Sequence, residues 1–139
     1  MKIGVPKEIK PQESRIGLTP ESVKQLTSNG HEVLVEIDGG FEAGFENKHY
    51  ITAGAKIINK AEDIFNDAEI IVKVKEPLSN EVKMIRENQI VFTYLHLAAA
   101  KELTEGLVKS KSICIAYETV TDDNGRLPLL APMSAVAGR

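Results

Sequence analysis

Short apolar runs along this chain alternate with longer stretches in which apolar residues recur at helical spacing. The runs are rich in β-branched and aromatic residues, so they predict buried strands. These strands are predicted at residues 2–6, 32–36, 55–58, 70–75, 90–96 and 112–118. Helices are predicted from residue 20 up to a stop at Gly30, at residues 47–53, after residue 59, and at residues 79–86 and 99–109. This alternation favours an α/β fold, with a mostly parallel sheet flanked by helices on both faces.

Individual residues mark the starts of the helices. Thr19 is a predicted N-cap, with Pro20 at the first helical position, a combination typical of helix starts. Asn59 and Glu62 have the spacing of a capping box, and Ser79 is expected to cap the following helix. These signals place each helix between two strands.

A glycine-rich segment at residues 39–44 lacks the pattern of a phosphate-binding loop. It matches neither G-x-G-x-x-G nor G-x-x-x-x-G-K-[ST]. A tight turn is predicted there instead, and a second turn at residues 122–125, which read Asp-Asp-Asn-Gly. The chain therefore lacks the glycine fingerprint of a dinucleotide-binding α/β domain.

Composition places the chain among ordinary globular domains. Its 139 residues, 42% hydrophobic, suffice for one domain with a real core, and a net charge of -3 gives no indication of a nucleic-acid surface. The one cysteine, Cys114, is expected to pack as a small hydrophobe, which suits a reducing cytoplasm. No segment approaches the roughly 20 apolar residues of a membrane span, and the amino terminus lacks a signal-peptide pattern, so no membrane association is expected.

Two of the apolar runs end in ionisable residues, Lys75 and His96, and these ends indicate the chemistry. Open α/β sheets place their sites beyond the carboxyl ends of the strands. A lysine there could polarise a carbonyl oxygen, and a histidine could move a proton. The alternatives are an exposed lysine at Lys73 or Lys75, and a histidine that is simply satisfied by a hydrogen bond.

The polar segment 8–19 is expected to be a surface loop. Within it, Arg15 could hold a carboxylate through two parallel hydrogen bonds, and the alternative is a solvated loop charge. His31 and His49 are expected at the surface. No residues have the spacing of metal ligands, so no metal is predicted, and the lack of a G-x-S-x-G motif removes the common serine-hydrolase interpretation.

Five ordered segments, read together, are more specific than any one residue. They are ESRI (13–16), VKEPL (74–78), FTYLHLA (92–98), IAYETV (115–120) and PLLAPMS (128–134). The chain resembles the amino-terminal half of the alanine dehydrogenase family, and the resemblance covers essentially all of it. This resemblance favours the functional interpretation of Arg15, Lys75 and His96 over the alternatives above.

The resemblance implies an activity and a role for each of these residues. The family interconverts L-alanine with pyruvate and ammonia, using NAD. By motif, Arg15 would hold the substrate carboxylate. Lys75 would bind the substrate and polarise its carbonyl, and His96 would be the acid/base on the oxygen that leaves or attacks as water.

The resemblance also implies a larger assembly. Leu130 and Met133 would line the pocket near the nicotinamide, and Ser134 would contact the cofactor. Most of the NAD site and an essential aspartate would come from a second, Rossmann domain that is absent from this chain. Residues 1–139 would then be a Rossmann-like or flavodoxin-like substrate domain, inactive alone, of a cytoplasmic homo-oligomer, most often a hexamer.

The chain departs from the family pattern in two ways, and other functions remain open. Residues 41–43 are bulkier than expected for the glycine loop, and the Rossmann fingerprint and the essential aspartate of the family are absent from this chain. Residues 132–139 look like the first turns of a helix without a stop. The alternatives are the cofactor-binding subunit of a transhydrogenase, a saccharopine or lysine-forming dehydrogenase, and a non-catalytic binding domain. Lys75 together with His96 favours alanine dehydrogenase, because a transhydrogenase needs no amino-acid pocket.

Overall fold

All six predicted strands form, and they pair into one sheet. The computed structural model describes residues 1–132. The strands are β1 (Lys2–Val5), β2 (Glu32–Glu36), β3 (Lys56–Ile58), β4 (Ile70–Val72), β5 (Ile90–Thr93) and β6 (Ile113–Ala116). The helices are α1 (Pro20–Ser28), α2 (Asn47–Thr52), α3 (Ala61–Asp67), α4 (Ser79–Val82) and α5 (Lys101–Ser110).

The sheet is parallel throughout its five strand pairs. Its spatial order is β3-β2-β1-β4-β5-β6. The chain first adds strands on one side of β1 and then crosses to the other side, so the order reverses between β1 and β4. Such a reversal opens a crevice beyond the carboxyl ends of these two strands, where α/β proteins bind their ligands.

Alternate side chains along the strands enter two cores, one on each face of the sheet. Val5 packs with Val23 of α1 and Tyr50 of α2 on one face. On the other face α3 lies close over β1, since a Cβ at Gly4 would be 2.6 Å from the Ile64 Cγ2. The helix α5 joins this second core. The predicted α/β fold with helices on both faces is therefore confirmed.

Three strands end two or three residues earlier than the sequence pattern predicts, and β1 ends one residue earlier. The strands β4, β5 and β6 end at Val72, Thr93 and Ala116. The segments beyond β4 and β5 still lie side by side, because the Tyr94 N–H donates to the Val74 carbonyl at 3.2 Å. Beyond β4 and β5, side-chain carboxylates accept backbone N–H groups: Glu8 those of Val74 and Lys75, and Glu118 those of Leu95 and His96.

Of the caps predicted for the first and third helices, at Thr19 and Asn59, only the cap at Thr19 forms. Thr19 caps α1, and its Oγ1 accepts the Ser22 N–H at 3.2 Å. The capping box predicted at Asn59 is wrong. Lys60 is still extended, with φ -130° and ψ 134°, so α3 begins only at Ala61.

The helix predicted at residues 79–86 is shorter and is capped by a different group. Ser79 is the first residue of α4 instead of its cap, and the Leu78 N–H donates to the Glu81 carboxylate at 3.0 Å. Beyond α4 the chain continues in tighter turns that bring Ile85 into the second core. A glutamate that reaches back to the backbone therefore fixes this start.

Both predicted turns form. Phe41–Ala43 is a single 3₁₀ turn that ends at Gly44, whose φ of 91° lies in the left-handed region. At residues 122–125 the Gly125 N–H donates to the Asp122 carbonyl at 3.0 Å. Cys114 packs beside the second core, as predicted for a small hydrophobe.

Two further features concern the ends and the length of the helices. The helix predicted at residues 132–139 lies, beyond residue 132, outside the described residues. Among residues 1–132, none of the helices has the length and apolar character needed to cross a bilayer.

Candidate active site

The loop between β1 and α1, residues 6–19, crosses the carboxyl end of β4. Gly17 permits this approach, because a Cβ at that position would lie 2.6 Å from the Val72 carbonyl oxygen. Ile16 is buried in the first core, and Glu8 is only 6% exposed. The expectation of a loop lying wholly on the surface is therefore wrong, because part of it fills the crevice between β1 and β4.

The close crossing predicts that Gly17→Ala destabilises the chain. We expect the free energy of unfolding to fall by about 1–3 kcal/mol, because the new methyl group overlaps a carbonyl oxygen that the sheet holds in place. Urea unfolding of residues 1–139, followed by circular dichroism, measures this. Ser14→Ala, at an exposed residue of the same loop, is the control, with an expected change within about 0.5 kcal/mol. Equal stability of the two variants would contradict the close approach.

Lys73 lies inside the protein between two carboxylates. Its Nζ is 3.2 Å from the Glu8 Oε2 and 3.1 Å from the Glu81 Oε2, and none of the three side chains is more than 3% exposed. A fully buried ammonium group requires partners of this kind, because water no longer solvates it. The alternative in which Lys73 is an exposed lysine is therefore wrong.

The backbone of Lys75 is fixed on both sides. The Lys75 N–H donates to the Glu8 Oε1 at 2.9 Å, and the Val74 N–H donates to the Glu8 Oε2 at 3.2 Å. The Lys75 carbonyl accepts the Thr93 hydroxyl at 3.0 Å. Lys75 itself is half-buried. It thus lies at the border between the buried Lys73 cluster and solvent.

Arg15 forms a two-pronged ion pair with Glu13. The Arg15 Nε donates to one carboxylate oxygen at 2.8 Å and the Nη2 to the other at 2.7 Å, and the Arg15 backbone N–H adds a third hydrogen bond at 2.9 Å. These hydrogen bonds hold the pKa of Glu13 down, at about 2, and raise the pKa of Arg15. The Arg15 side chain is 44% exposed. It is a partly exposed guanidinium that Glu13 orients, and not merely a solvated loop charge.

Arg15 and Lys75 belong to one charged cluster. After the hydrogen bonds from Arg15, the positive charge of Lys75 is a further cause of the low pKa of Glu13. The negative charge of Glu8 also contributes to the raised pKa of Arg15, after the hydrogen bonds to Glu13. A guanidinium oriented by Glu13 and a lysine whose backbone is held at the carboxyl edge of β4 can together bind a carboxylate and polarise a neighbouring carbonyl.

The low pKa of Glu13 predicts a specific pH dependence for Glu13→Gln. We expect the substitution to lower the free energy of unfolding by about 1 kcal/mol at neutral pH, because solvent around Arg15 screens the ion pair. Since the folded-state pKa of about 2 lies below the ordinary value of 4.5, this contribution is complete above pH 4.5 and is lost as the pH falls toward 2. The difference in unfolding free energy between wild type and variant should shrink across that window.

Urea unfolding at a series of pH values measures this difference. Glu42→Gln, which removes a carboxylate at an exposed residue, is the control, with an expected change within about 0.5 kcal/mol. A difference for Glu13→Gln that stays constant through the window would contradict the ion pair.

His96 lies just beyond β5, the strand that pairs with β4, and Lys75 lies just beyond β4. Its backbone is left-handed, with a φ of 52°. The N–H groups of Leu95 and His96 donate to the Glu118 Oε1 at 3.0 and 3.1 Å. The residue is exposed, and within the described part of the chain its backbone, not its ring, is hydrogen-bonded. The structure therefore brings His96 to the same sheet edge as Lys75, but not into a hydrogen bond with it.

The other two histidines differ from each other. His49 is exposed, as predicted, and its Nδ1 accepts the Glu46 N–H at 2.9 Å. His31 is partly buried, contrary to prediction, and its Nδ1 has no hydrogen-bond partner among residues 1–132. Over the same residues, no three His, Cys, Asp or Glu side chains gather as they would around a metal ion.

Two tyrosines connect the strand ends with the last described turn. The rings of Tyr94 and Tyr117 meet edge to face, with centroids 4.7 Å apart. The Tyr117 hydroxyl donates to the Lys73 carbonyl at 2.9 Å, and burial raises the pKa of Tyr117. The Tyr94 hydroxyl donates to the Leu129 carbonyl, so the turn that carries Leu129 lies beside the segment that follows β5.

Of the three predicted contacts near the nicotinamide, one lies in the described part of the chain. Leu130 is half-buried, and its N–H donates to the Leu127 carbonyl at 3.2 Å. It follows directly on the residue that Tyr94 binds. Met133 and Ser134 lie outside the described residues.

The crevice between β1 and β4 differs from a dinucleotide site. In such sites a glycine-rich turn leads from the first strand straight into a helix whose amino terminus faces the pyrophosphate. Here residues 6–8 read Pro-Lys-Glu, and α1 begins only at Pro20. The residues at this crevice therefore do not fit a dinucleotide pyrophosphate.

Three glutamates organise the site, and the sequence interpretation assigned none of them a role. Glu8 and Glu118 follow β1 and β6 closely. The signal that selected Lys75 and His96, an ionisable residue just beyond a strand, therefore also applied to them. Glu13 could have been found only from its spacing to the arginine, which is a weak signal.

Comparison with known proteins gives long matches. The family described as "Alanine dehydrogenase/PNT, N-terminal domain" matches residues 4–137. Alanine dehydrogenase of Staphylococcus epidermidis is 53% identical over 139 residues, which are 100% of this chain and 37% of that protein. Alanine dehydrogenase of Bacillus subtilis is 55% identical over 140 residues, which cover 100% of this chain and 36% of that protein. The chain thus spans little more than a third of the length of these relatives.

Solved structures agree with the sequence matches. An L-alanine dehydrogenase structure superposes with a TM-score of 0.96 at 52% identity, covering 100% of this chain and 38% of that one. The transhydrogenase from Sinorhizobium meliloti superposes with a TM-score of 0.79 at 28% identity, covering 85% of this chain and 35% of that one. Since the family match extends over nearly all residues, the chain belongs to the alanine dehydrogenase/PNT N-terminal domain family.

Proposed function

We propose that the whole protein is an NAD-dependent L-alanine dehydrogenase and that residues 1–139 are its amino-terminal substrate domain. The relatives named alanine dehydrogenase support this activity. The observation that carries the proposal is the charged cluster in which Arg15, held by Glu13, lies with Lys75 at the carboxyl edge of β4. Two neighbouring cations suit pyruvate, whose carboxylate and carbonyl are adjacent.

Arg15, Lys75 and His96 each have one role in the reaction from pyruvate and ammonia toward alanine. Arg15 holds the carboxylate through parallel hydrogen bonds. Lys75 donates to the carbonyl oxygen and gives the carbonyl carbon positive character, so that ammonia adds there. One proton of the added ammonia passes to that oxygen and gives a carbinolamine. His96 then transfers a second proton to the same oxygen, which leaves as water and generates an iminium carbon. In the opposite direction His96 takes a proton from the attacking water.

NAD, when bound, would supply the hydride acceptor for the α-carbon of alanine. Because the crevice between β1 and β4 does not fit a dinucleotide, we assign most of the NAD site to a second domain that follows this one. Ser134 is the proposed cofactor contact from this chain. Leu130 and Met133 are proposed to line the pocket beside the nicotinamide.

The proposed partners are small molecules and further copies of the protein. L-Alanine, pyruvate and ammonia are the substrates and products. We place the whole enzyme in the cytoplasm as a homo-oligomer, a hexamer, on the family resemblance. Sedimentation of the whole protein tests the subunit number.

Steady-state assays of the whole protein test the proposed function. We expect NADH formation that requires both L-alanine and NAD, and NADH oxidation that requires both pyruvate and ammonia. Residues 1–139 alone should show neither activity. Hydride exchange between two nicotinamide nucleotides, in place of alanine-dependent turnover, would identify a transhydrogenase. Pyruvate binding without turnover would identify a non-catalytic binding domain.

A further inference from the structure

Glu118 accepts hydrogen bonds from two consecutive backbone N–H groups just beyond β5. Its Oε1 accepts the Leu95 N–H at 3.0 Å and the His96 N–H at 3.1 Å. The neighbouring strand β6 ends at Ala116, so the sheet offers these groups no carbonyl. Glu118 provides an acceptor for both N–H groups, one on the buried Leu95 and one on the exposed His96.

The same hydrogen bonds act on a residue in an unfavourable conformation. His96 has a φ of 52°, which side chains with a Cβ rarely adopt. Such a conformation persists only where its surroundings determine it. The groups that do so here are the Glu118 carboxylate and the Ala99 N–H, which donates to the His96 carbonyl at 3.3 Å. Because φ sets the direction of the Cα–Cβ bond, these contacts also determine the direction in which the His96 side chain leaves the backbone.

A second carboxylate repeats this arrangement one strand away. Glu8 follows β1 and accepts the N–H groups of Val74 and Lys75 beyond the neighbouring strand β4. Glu118 follows β6 and acts beyond the neighbouring strand β5. In both cases a carboxylate from one strand end holds the backbone at the next strand end.

We propose that Glu118 is a positioning residue for His96, as Glu8 is for Lys75. The carboxylate of Glu118 holds the left-handed backbone of His96 and thereby sets the place of the ring that transfers the proton. This inference rests on the proposed function, because the proton transfer is part of it. Glu118 does not itself contact the substrate in this account.

The two carboxylates use their oxygens differently, which makes Glu118 the better test. Glu118 uses Oε1 for both N–H groups, so the carbonyl oxygen of a glutamine can replace it. Glu8 uses Oε1 for Lys75, and Oε2 for Val74 and for the Lys73 ammonium. Glutamine at position 8 would lose one acceptor and a buried charge. Glu118→Gln is therefore expected to keep the His96 backbone in place and to preserve turnover. Glu118→Met, of similar length but without an acceptor, is expected to do neither.

The kinetic experiment compares these two variants in the whole protein. We expect Glu118→Met to lower kcat for alanine oxidation about 10- to 100-fold, since a misplacement of about 1 Å suffices for such a loss. The KM for alanine should change by less than about threefold, because Arg15 and Lys75 still hold the substrate. Glu118→Gln should stay within about threefold of the wild-type kcat. Glu105→Met and Glu105→Gln, at an exposed carboxylate of α5, are the matched controls.

Two further readouts separate positioning from a general loss of structure. The ratio of kcat in H₂O to kcat in D₂O should rise in Glu118→Met, because proton transfer becomes slower, and should stay at the wild-type value in Glu118→Gln. Hydrogen exchange of the peptide covering residues 92–98 should be faster in Glu118→Met and unchanged in Glu118→Gln. Glu118→Ala provides a second variant without an acceptor, should Glu118→Met fail to fold.

Wild-type kcat in Glu118→Met, or a Glu118→Gln variant as slow as Glu118→Met, would overturn the positioning role. Failure of the proposed function is distinguishable from failure of this inference. A wild-type protein without alanine-dependent turnover would overturn both the proposed activity and the effect of Glu118 on proton transfer by His96. The exchange experiment would then still show whether Glu118 holds the backbone at residues 95 and 96.

Discussion

Lys73→Met is expected to lower the free energy of unfolding by about 3–5 kcal/mol, because removing one partner of a buried ion pair leaves a buried charge without compensation. Here two such charges remain, on Glu8 and Glu81, whose side chains are at most 3% exposed. Methionine keeps most of the volume of the lysine side chain, so the loss reports the charge and not a cavity. Urea unfolding of residues 1–139, followed by circular dichroism, measures it.

A surface ion pair provides the control for Lys73→Met. Lys56 pairs with Glu32 at 2.7 Å on the edge strand β3, with side chains that are 68% and 34% exposed. Lys56→Met should therefore cost no more than about 1 kcal/mol. Glu81→Gln added to Lys73→Met should recover part of the loss, because one buried carboxylate is then neutral. Equal stability of Lys73→Met and Lys56→Met would contradict the buried cluster.

Lys75→Met should have the opposite profile, with little effect on stability and a large effect on turnover. We expect kcat/KM for alanine in the whole protein to fall by about 10²- to 10³-fold, the loss typical of removing a donor that stabilises developing charge on a carbonyl oxygen. The fold should persist because Glu8 holds the backbone N–H of Lys75, which the substitution leaves in place. Steady-state kinetics, with a thermal melt of each variant, measures both effects.

The control for Lys75→Met is a lysine outside the charged cluster. Lys83 is exposed just after α4, and Lys83→Met should leave kcat/KM within about twofold of wild type. A Lys75→Met enzyme with wild-type kcat/KM would remove Lys75 from the site. A variant that loses stability as Lys73→Met does would instead assign Lys75 a structural role.

The contrast between these two lysines shows where sequence interpretation stops. The strands were predictable because their apolar runs are short and rich in β-branched residues. The burial of Lys73 was not, because one of its partners, Glu8, lies 65 residues away in the chain. The group that caps α4 was missed for a local reason. A glutamate three residues into the turn binds the Leu78 N–H, where a serine hydroxyl was expected.

The position of the candidate site was predictable from the sequence. The carboxylates that hold its backbone in place were not. Parallel strands bring their carboxyl ends to one edge, so Lys75 and His96 could be placed there from the pattern of strands alone. Which carboxylate holds which strand end depends on the order of the strands in the sheet, and the pattern does not contain that order. For this reason the roles of Glu8 and Glu118 became visible only in the structure.

The most direct test of a single 2-oxo-acid site is a crystal structure of the whole protein with pyruvate. We predict that the pyruvate carboxylate lies on the Arg15 guanidinium. Its carbonyl oxygen should lie about 2.7–3.2 Å from the Lys75 Nζ, with the His96 ring facing it. Pyruvate bound elsewhere, without contact to Arg15 or Lys75, would contradict the account.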